Sequence, residues 1–351
     1  MGNPRTAAMP ICELSAALRP ARLASTLVAC LWLAACGGGV DAPTEQAAQN
    51  TDSREATLRA KAPAPRLPQA STNTLQVGIR LAGFPHKVDV YRPAGATKAI
   101  VFLHGHGGTT WNLAYSLGFN RLNAPQTARS VNWDWLARNG IIAVFAQGQS
   151  QPGTQTPTWS NYVFDSGQDD VAFLAALSAY VRGQYGVSQV ALSGHSAGGV
   201  MTARIWCEAT TAYDDYVSLG GPMVSTAYPR PGPTCTPSAP APYFLVVGGQ
   251  DSKLPMFAAG LTTPTPQQIA AGLTDTILTS EWVRHQGRSN AVCGETPTLE
   301  AAVVDVTGPT WNACDEHVRY KVVTKADHPI ASLEQYAQVR MVDLIAGFMK
   351  R

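Results

Sequence analysis

One pentapeptide restricts what this chain can fold into more than any other feature. Gly194-His195-Ser196-Ala197-Gly198 lies between an apolar run, Val187 to Leu192, and a stretch of helical character. Gly-x-Ser-x-Gly between a strand and a helix predicts a sharp turn that lifts a serine hydroxyl above a sheet. Both glycines are expected where a side chain would not fit. Strain of about 1–3 kcal/mol in the serine backbone is expected to be tolerated for the exposure it gives Oγ. The N-terminus of the helix that follows favours negative charge developing there. Gly199 leaves further room for that helix to pack closely on the sheet.

The rest of the chain supplies a matching frame. Leu75 to Ile79 and Val88 to Val90 alternate like antiparallel edge strands. Ala99–Leu103 and Ile141–Phe145 are unbroken apolar runs, as central parallel strands tend to be, and Tyr243–Val247 and Val318–Val322 join them. Ser166-Gly-Gln-Asp169 reads as a helix start, followed by an apolar stripe of Val171, Leu174, Leu177 and Val181. Leu333 to Met349 reads as one final amphipathic helix. Strands alternating with helices predict an α/β class with a mostly parallel central sheet and helices on both faces, the α/β-hydrolase fold.

A serine hydroxyl needs a base to take its proton and a third group to orient that base. In this fold the chain order is serine, then acid, then histidine. Downstream of Ser196, the strand in Tyr-Phe-Leu-Val-Val-Gly-Gly-Gln-Asp-Ser-Lys delivers Asp251 just past its end, and the last strand delivers His328 in the loop before the final helix. His285 and His317, and Asp275 and Asp327, are weaker candidates. Asp327 is adjacent to His328, and adjacent side chains diverge. The oxyanion hole needs two backbone N–H donors. Ala197 is expected to give one, and His106, in the His104-Gly-His-Gly-Gly108 loop after the Ala99–Leu103 strand, the other. His195, beside the nucleophile, is expected to contact substrate. His104 and His106 have no carboxylate or cysteine near them in sequence, so no metal and no cofactor is expected.

The N-terminal segment reads differently. Arg19 and Arg22 precede the apolar run Leu23 to Ala35, and Leu33-Ala-Ala-Cys36 follows the pattern of a cleaved signal ending at a lipidated cysteine. Residues 1–35 are therefore expected to be a lipoprotein signal, residues 36–73 a linker rich in Ala, Pro, Thr and Gln, and residues 74–351 the catalytic domain. Cys36 would carry the lipid and tether the protein to a bacterial cell envelope. Without residues 1–35 the chain has 23 basic and 23 acidic side chains. That balance, with no basic stripe, gives no sign of nucleic-acid binding. Four cysteines then remain in the core, Cys207, Cys235, Cys293 and Cys314. In an exported chain they are expected to form two disulfides, the local pairs Cys207–Cys235 and Cys293–Cys314 among the three pairings possible.

With these residues in view, the segment from about residue 86 onward resembles the secreted esterase family of poly(3-hydroxybutyrate) depolymerases and LpqC-like and feruloyl esterases. The similar stretches are VFLHGHGGT, TWSNYVFDSGQDDVAFLAAL, VSQVALSGHSAGGVMTARIWCE, VVGGQDSKLP and SEWVRHQG, with the Cys293 and Cys314 pair. The resemblance implies Ser196 as nucleophile, Asp251 as acid and His328 as base, and supports the two local disulfides. It also implies that Trp159 contacts substrate near an acyl pocket. Around the base the family commonly has Gly-Gly-His-Thr-Trp-Pro, whereas this chain has Ala326-Asp-His-Pro-Ile330.

The expected function is that of an exported serine esterase acting on a small or oligomeric carboxylic ester. Two alternatives stay open at this point: a peptidase or amidase on the same fold, and a catalytically silent surface lipoprotein that binds a ligand.

Overall fold

The computed structural model describes residues 70–350 except for 122, 162, 223–236, 254–302 and 315. The expected signal, Cys36, most of the linker, Cys235, Cys293, Asp275 and His285 lie outside the described residues. Among the described residues, twelve strands and six α-helices follow one another along the chain. The strands are β1 (Thr74–Ile79), β2 (Lys87–Arg92), β3 (Lys98–Leu103), β4 (Ile141–Gln147), β5 (Gln149–Ser150), β6 (Pro157–Thr158), β7 (Gln189–His195), β8 (Asp215–Leu219), β9 (Tyr243–Gly248), β10 (Val303–Asp305), β11 (Gly308–Ala313) and β12 (Val318–Val323). The helices are α1 (Thr110–Ser116), α2 (Trp133–Asn139), α3 (Asp170–Tyr185), α4 (Ala197–Glu208), α5 (Ile330–Ala337) and α6 (Met341–Phe348).

Apart from the small β5–β6 pair, the strands form one sheet in the order β1-β2-β4-β3-β7-β8-β9-β12-β11-β10. From β4 through β12 neighbouring strands run parallel, and antiparallel pairs close both ends. The α/β-hydrolase fold is thus the observed one. Among the described residues no helix is long and apolar enough to cross a membrane.

The unbroken apolar runs have a simple cause. In β3, Ala99, Val101 and Leu103 enter one core cluster while Ile100 and Phe102 enter the other. In β4, Ile142, Val144 and Ala146 alternate in the same way with Ile141, Ala143 and Phe145. Successive strand side chains point to opposite faces, so a strand covered on both faces must be apolar at every position. One cluster takes its cover from α3 and α4, through Leu174, Leu177, Val200 and Trp206. The other takes it from α1, α2, α5 and α6, through Leu113, Leu136, Leu333 and Ile345.

Three local departures from the sequence-based expectation have physical causes. Strand β8, Asp-Tyr-Val-Ser-Leu, escapes the pattern because Asp215 and Ser218 interrupt a five-residue run, yet all five residues are buried. The hairpin of β10 and β11 likewise has too little apolar alternation to be read. The final helix is two helices. Gln338 takes a left-handed backbone (φ 56°), and Arg340, whose Nη2 donates to the Leu117 carbonyl at 2.8 Å, restarts the chain as α6. The Met341 N–H is met by Glu334 Oε1 at 2.8 Å, which joins the two pieces. Helix α3 begins as expected, although the cap is Asp169 itself, accepting from the Ala172 N–H at 3.0 Å.

Candidate active site

Four loops at the C-terminal ends of parallel strands converge on one pocket of about 510 Å³. The first is the serine turn. Strand β7 ends at His195, Ser196 takes φ 56° and ψ −120°, and α4 starts at Ala197. A non-glycine residue at positive φ is uncommon and persists only where its surroundings over-determine it. Here the Ser196 N–H donates to the Leu219 carbonyl at 2.8 Å, and its carbonyl accepts from Val200 at 3.0 Å. Gly194 and Gly198 are required by contact: a Cβ at Gly194 would overlap the Gly198 carbonyl, and one at Gly198 would overlap the Leu103 carbonyl. Ser196 Oγ makes no capping bond to its own helix, so the hydroxyl stays available to the pocket it lines.

The second and third loops leave β9 and β12, which pair in parallel as far as Gly248 and Val323. Asp251 is fully buried, and His328 Nδ1 lies 2.8 Å from its Oδ2 and 3.0 Å from its Oδ1. The Nδ1–H of His328 therefore donates to the carboxylate, which leaves Nε2 as the basic nitrogen. Oδ1 of Asp251 also accepts the Lys253 N–H at 2.8 Å. Gly220 packs against this pair, its Cβ position 3.4 Å from the His328 ring. Asp251 follows Ser196 by 55 positions and His328 follows Asp251 by 77, yet all three come to one end of the sheet because β7, β9 and β12 run parallel in it, β9 beside β12 and β8 between β7 and β9. Asp327, the weaker candidate acid, does not reach the His328 ring and bonds backbone instead. His317, the weaker candidate base, is exposed and turned to the Cys314 carbonyl.

The candidate oxyanion loop follows β3. Gly105 lies against Ser196, with a Cβ position 3.1 Å from the serine Cβ, and the next residue, His106, lines the same pocket as Ser196. Neither the His106 nor the Ala197 N–H has an acceptor among the described residues. The loop is held from beneath by His104, which is 1% exposed. Its Nδ1–H donates to the Gly105 carbonyl at 2.7 Å, and its Nε2 accepts the Gly148 N–H at 2.9 Å.

Burial lowers His104 to about 4. An unfolded chain takes up that proton near 6.5, while the folded protein refuses it until about pH 4. Stability should therefore be level above pH 6.5 and fall between pH 6.5 and 4, by about 3 kcal/mol for such a histidine. His195, lowered to about 4 by burial and by the nearby His328, adds to the same slope. Denaturant unfolding at pH 7 and at pH 4.5 measures this loss. Equal stability at the two values would contradict a neutral His104.

Trp159, expected at the substrate, is elsewhere. It is fully buried and does not line the pocket; its Nε1–H donates to the His104 carbonyl at 2.9 Å. A tryptophan in a loop looks the same in sequence whether it lines a pocket or props a neighbouring loop. The pocket wall is instead made by Phe164, whose ring stacks on that of His106 with centroids 4.3 Å apart. Asn161 sets that wall. Its Nδ2–H donates to the Ala197 carbonyl at 2.8 Å, and its Oδ1 accepts the N–H groups of Val163 (2.7 Å) and Phe164 (2.8 Å). His195 lines the pocket but spends its Nε2–H on the His328 carbonyl at 2.9 Å. Asp170, a helix-start carboxylate, is fully buried and accepts from His86 Nε2 at 2.6 Å. Cys207 and Cys314 are disulfide-bonded, while Cys235 and Cys293, expected as their partners, lie outside the described residues.

The alpha/beta hydrolase family model matches residues 100–346. No curated protein matches the chain. Among solved structures, acetyl xylan esterase from Aspergillus awamori is 15% identical, with a TM-score of 0.48 over 78% of this chain and 99% of that one. Poly(aspartic acid) hydrolase-1 from Sphingomonas sp. KT-1 is 17% identical, with a TM-score of 0.45 over 76% and 97% of the two chains. The Bacillus cereus carboxylesterase is 13% identical, with a TM-score of 0.39 over 73% and 96%.

Proposed function

The chain belongs to the alpha/beta hydrolase family, and from that premise we propose that it is a serine esterase that cleaves carboxylic esters through an acyl-enzyme. The observation that carries the proposal is the buried Asp251–His328 pair at 2.8 Å on the same pocket as a serine held at φ 56°. His328 Nε2 takes the proton of Ser196 Oγ as the oxygen attacks the ester carbonyl. The carbonyl oxygen becomes an oxyanion, which the N–H groups of Ala197 and His106 stabilise; losing one such donor typically costs about 3 kcal/mol. His328 then gives its proton to the departing alkoxide, and the C–O bond breaks to leave the acyl group on Ser196. A water, deprotonated by the same nitrogen, attacks the acyl carbonyl and releases the acid, and Ser196 regains its proton. Asp251 keeps the proton of His328 on Nδ1 throughout and balances the imidazolium charge.

The wall of Phe164, Leu113 and Ile330 offers apolar surface to the substrate, with Asn112, Thr109 and Lys253 as its polar rim. Such a lining suits a short acyl chain or an oligomeric hydroxy-ester better than a peptide. Export and a lipid anchor at Cys36 are part of the proposal, supported by the signal-like residues 1–35. Two local disulfides belong to it as well.

The test combines a fluorophosphonate probe with p-nitrophenyl esters from acetate to octanoate. Covalent labelling of Ser196, with turnover highest on the shorter esters, is the expected result. Absence of both labelling and turnover would return the chain to the ligand-binding alternative.

A further inference from the structure

The backbone pairing between the acid loop and the base loop stops short of the catalytic groups. Gly249 N–H donates to Val323 O at 2.8 Å and Gln250 N–H to Ala326 O at 2.9 Å, and there the ladder ends. Asp251 and His328 lie beyond it, on segments that share no further main-chain bond among the described residues. Side chains take over at that point. Oδ1 of Asp327 accepts the N–H of Ser252 at 2.8 Å and the N–H of His328 at 2.7 Å. On the other side of the same residue, His195 Nε2–H donates to the His328 carbonyl at 2.9 Å. Both polar groups of the base's backbone are therefore held by side chains, the carbonyl by His195 of the serine turn and the N–H by Asp327 of its own loop, whose Oδ1 is shared with the acid loop through Ser252.

The three residues joined in this way are the chain neighbours of the three candidate catalytic residues: His195 precedes Ser196, Ser252 follows Asp251, and Asp327 precedes His328. We propose that Asp327 and His195 are positioning residues that clamp the His328 backbone, so that the reach of its imidazole to Ser196 is set jointly by the serine turn and the acid loop. Neither side chain takes part in the chemistry. Asp327 has its own N–H tied to Ser332 Oγ at 2.8 Å, at the start of α5, which stiffens the clamp from the helix side. Pro329, at φ −62°, fixes the next step of the chain. The clamp presupposes the serine esterase proposed above.

Its test separates the two. Asp327→Ala removes the shared acceptor and should lower kcat on a p-nitrophenyl ester about 10- to 100-fold, the scale of a base displaced by a fraction of an ångström to an ångström, while KM stays within about twofold. Asp327→Asn keeps Oδ1 as an acceptor without the charge and should recover most of that loss. In the second arm, His195→Ala should lower kcat and His195→Gln, which retains an N–H donor, should restore part of it. Melting temperatures measured alongside identify any variant that does not fold, and the His195 arm decides if Asp327→Ala is one of them. Wild-type kcat in either alanine variant, or an asparagine variant as slow as the alanine one, would overturn the clamp. A wild-type protein that neither turns over ester nor reacts with a fluorophosphonate would overturn the esterase itself.

Discussion

Ser196→Ala should reduce kcat for ester hydrolysis by about 10⁴- to 10⁶-fold and leave the protein folded. The size follows from what the hydroxyl does: without it no acyl-enzyme forms, and a water must attack in its place. The backbone donors of Ala197 and His106 remain, so a residual rate above the uncatalysed one is expected. The small effect on folding follows from the serine's bonds. Its N–H and carbonyl, which hold the turn, are untouched, and its side chain caps no helix. Alanine at φ 56° meets the same backbone penalty as serine. Steady-state turnover and a melting curve on the same preparation check both halves. A variant that keeps more than about a tenth of the activity would remove Ser196 from the chemistry.

Asp251→Asn should be nearly as severe, about 10⁴-fold in kcat, and for a reason the hydrogen bonds make specific. Oδ1 of Asp251 is committed to the Lys253 N–H as well as to His328, whereas Oδ2, among the described residues, meets His328 Nδ1 at 2.8 Å and no other donor. An asparagine would keep its oxygen at the Lys253 side and turn its NH₂ toward Nδ1. His328 would then have to accept there, with its proton moved to Nε2, the position that must be free to take the serine proton. The geometry survives and the tautomer does not. A pre-steady-state burst measures acylation directly, and a loss below about tenfold would show that another group orients the base. Burial sharpens the effect, since Asp251 is 0% exposed and no water can substitute for the lost acceptor.

The two substitutions also show where sequence and structure each carried information. The serine turn is legible because its requirements are local. Two glycines are demanded by contacts with the Gly198 and Leu103 carbonyls, and the flanking apolar run and helix are set by neighbours in the chain. The parallel strands are legible because burial on both faces makes them apolar at every position, which leaves a mark in one dimension. Asp251 and His328 could be put forward as acid and base because each follows a legible strand, in the chain order expected of this fold. Strand β8 could not be read, since its hydrophobic content is diluted by Asp215 and Ser218, although all five of its residues are buried.

Other features exist only once the loops are assembled. Trp159 could not be told from a pocket residue, because its role as a prop beneath the loop after β3 depends on the His104 carbonyl, 55 residues earlier. Phe164 became a pocket wall only through its stack on His106 and the Asn161 bridge to Ala197. His195 and Asp327 carry no periodicity or motif that marks their bonds to the His328 backbone. The sequence by itself determined the fold class, the serine turn and the strands that Asp251 and His328 follow, because turn chemistry and two-sided burial are written in neighbouring residues. Only the tertiary structure decided which side chains hold those groups in register, because a hydrogen bond between loops depends on distances that no local pattern of residues encodes.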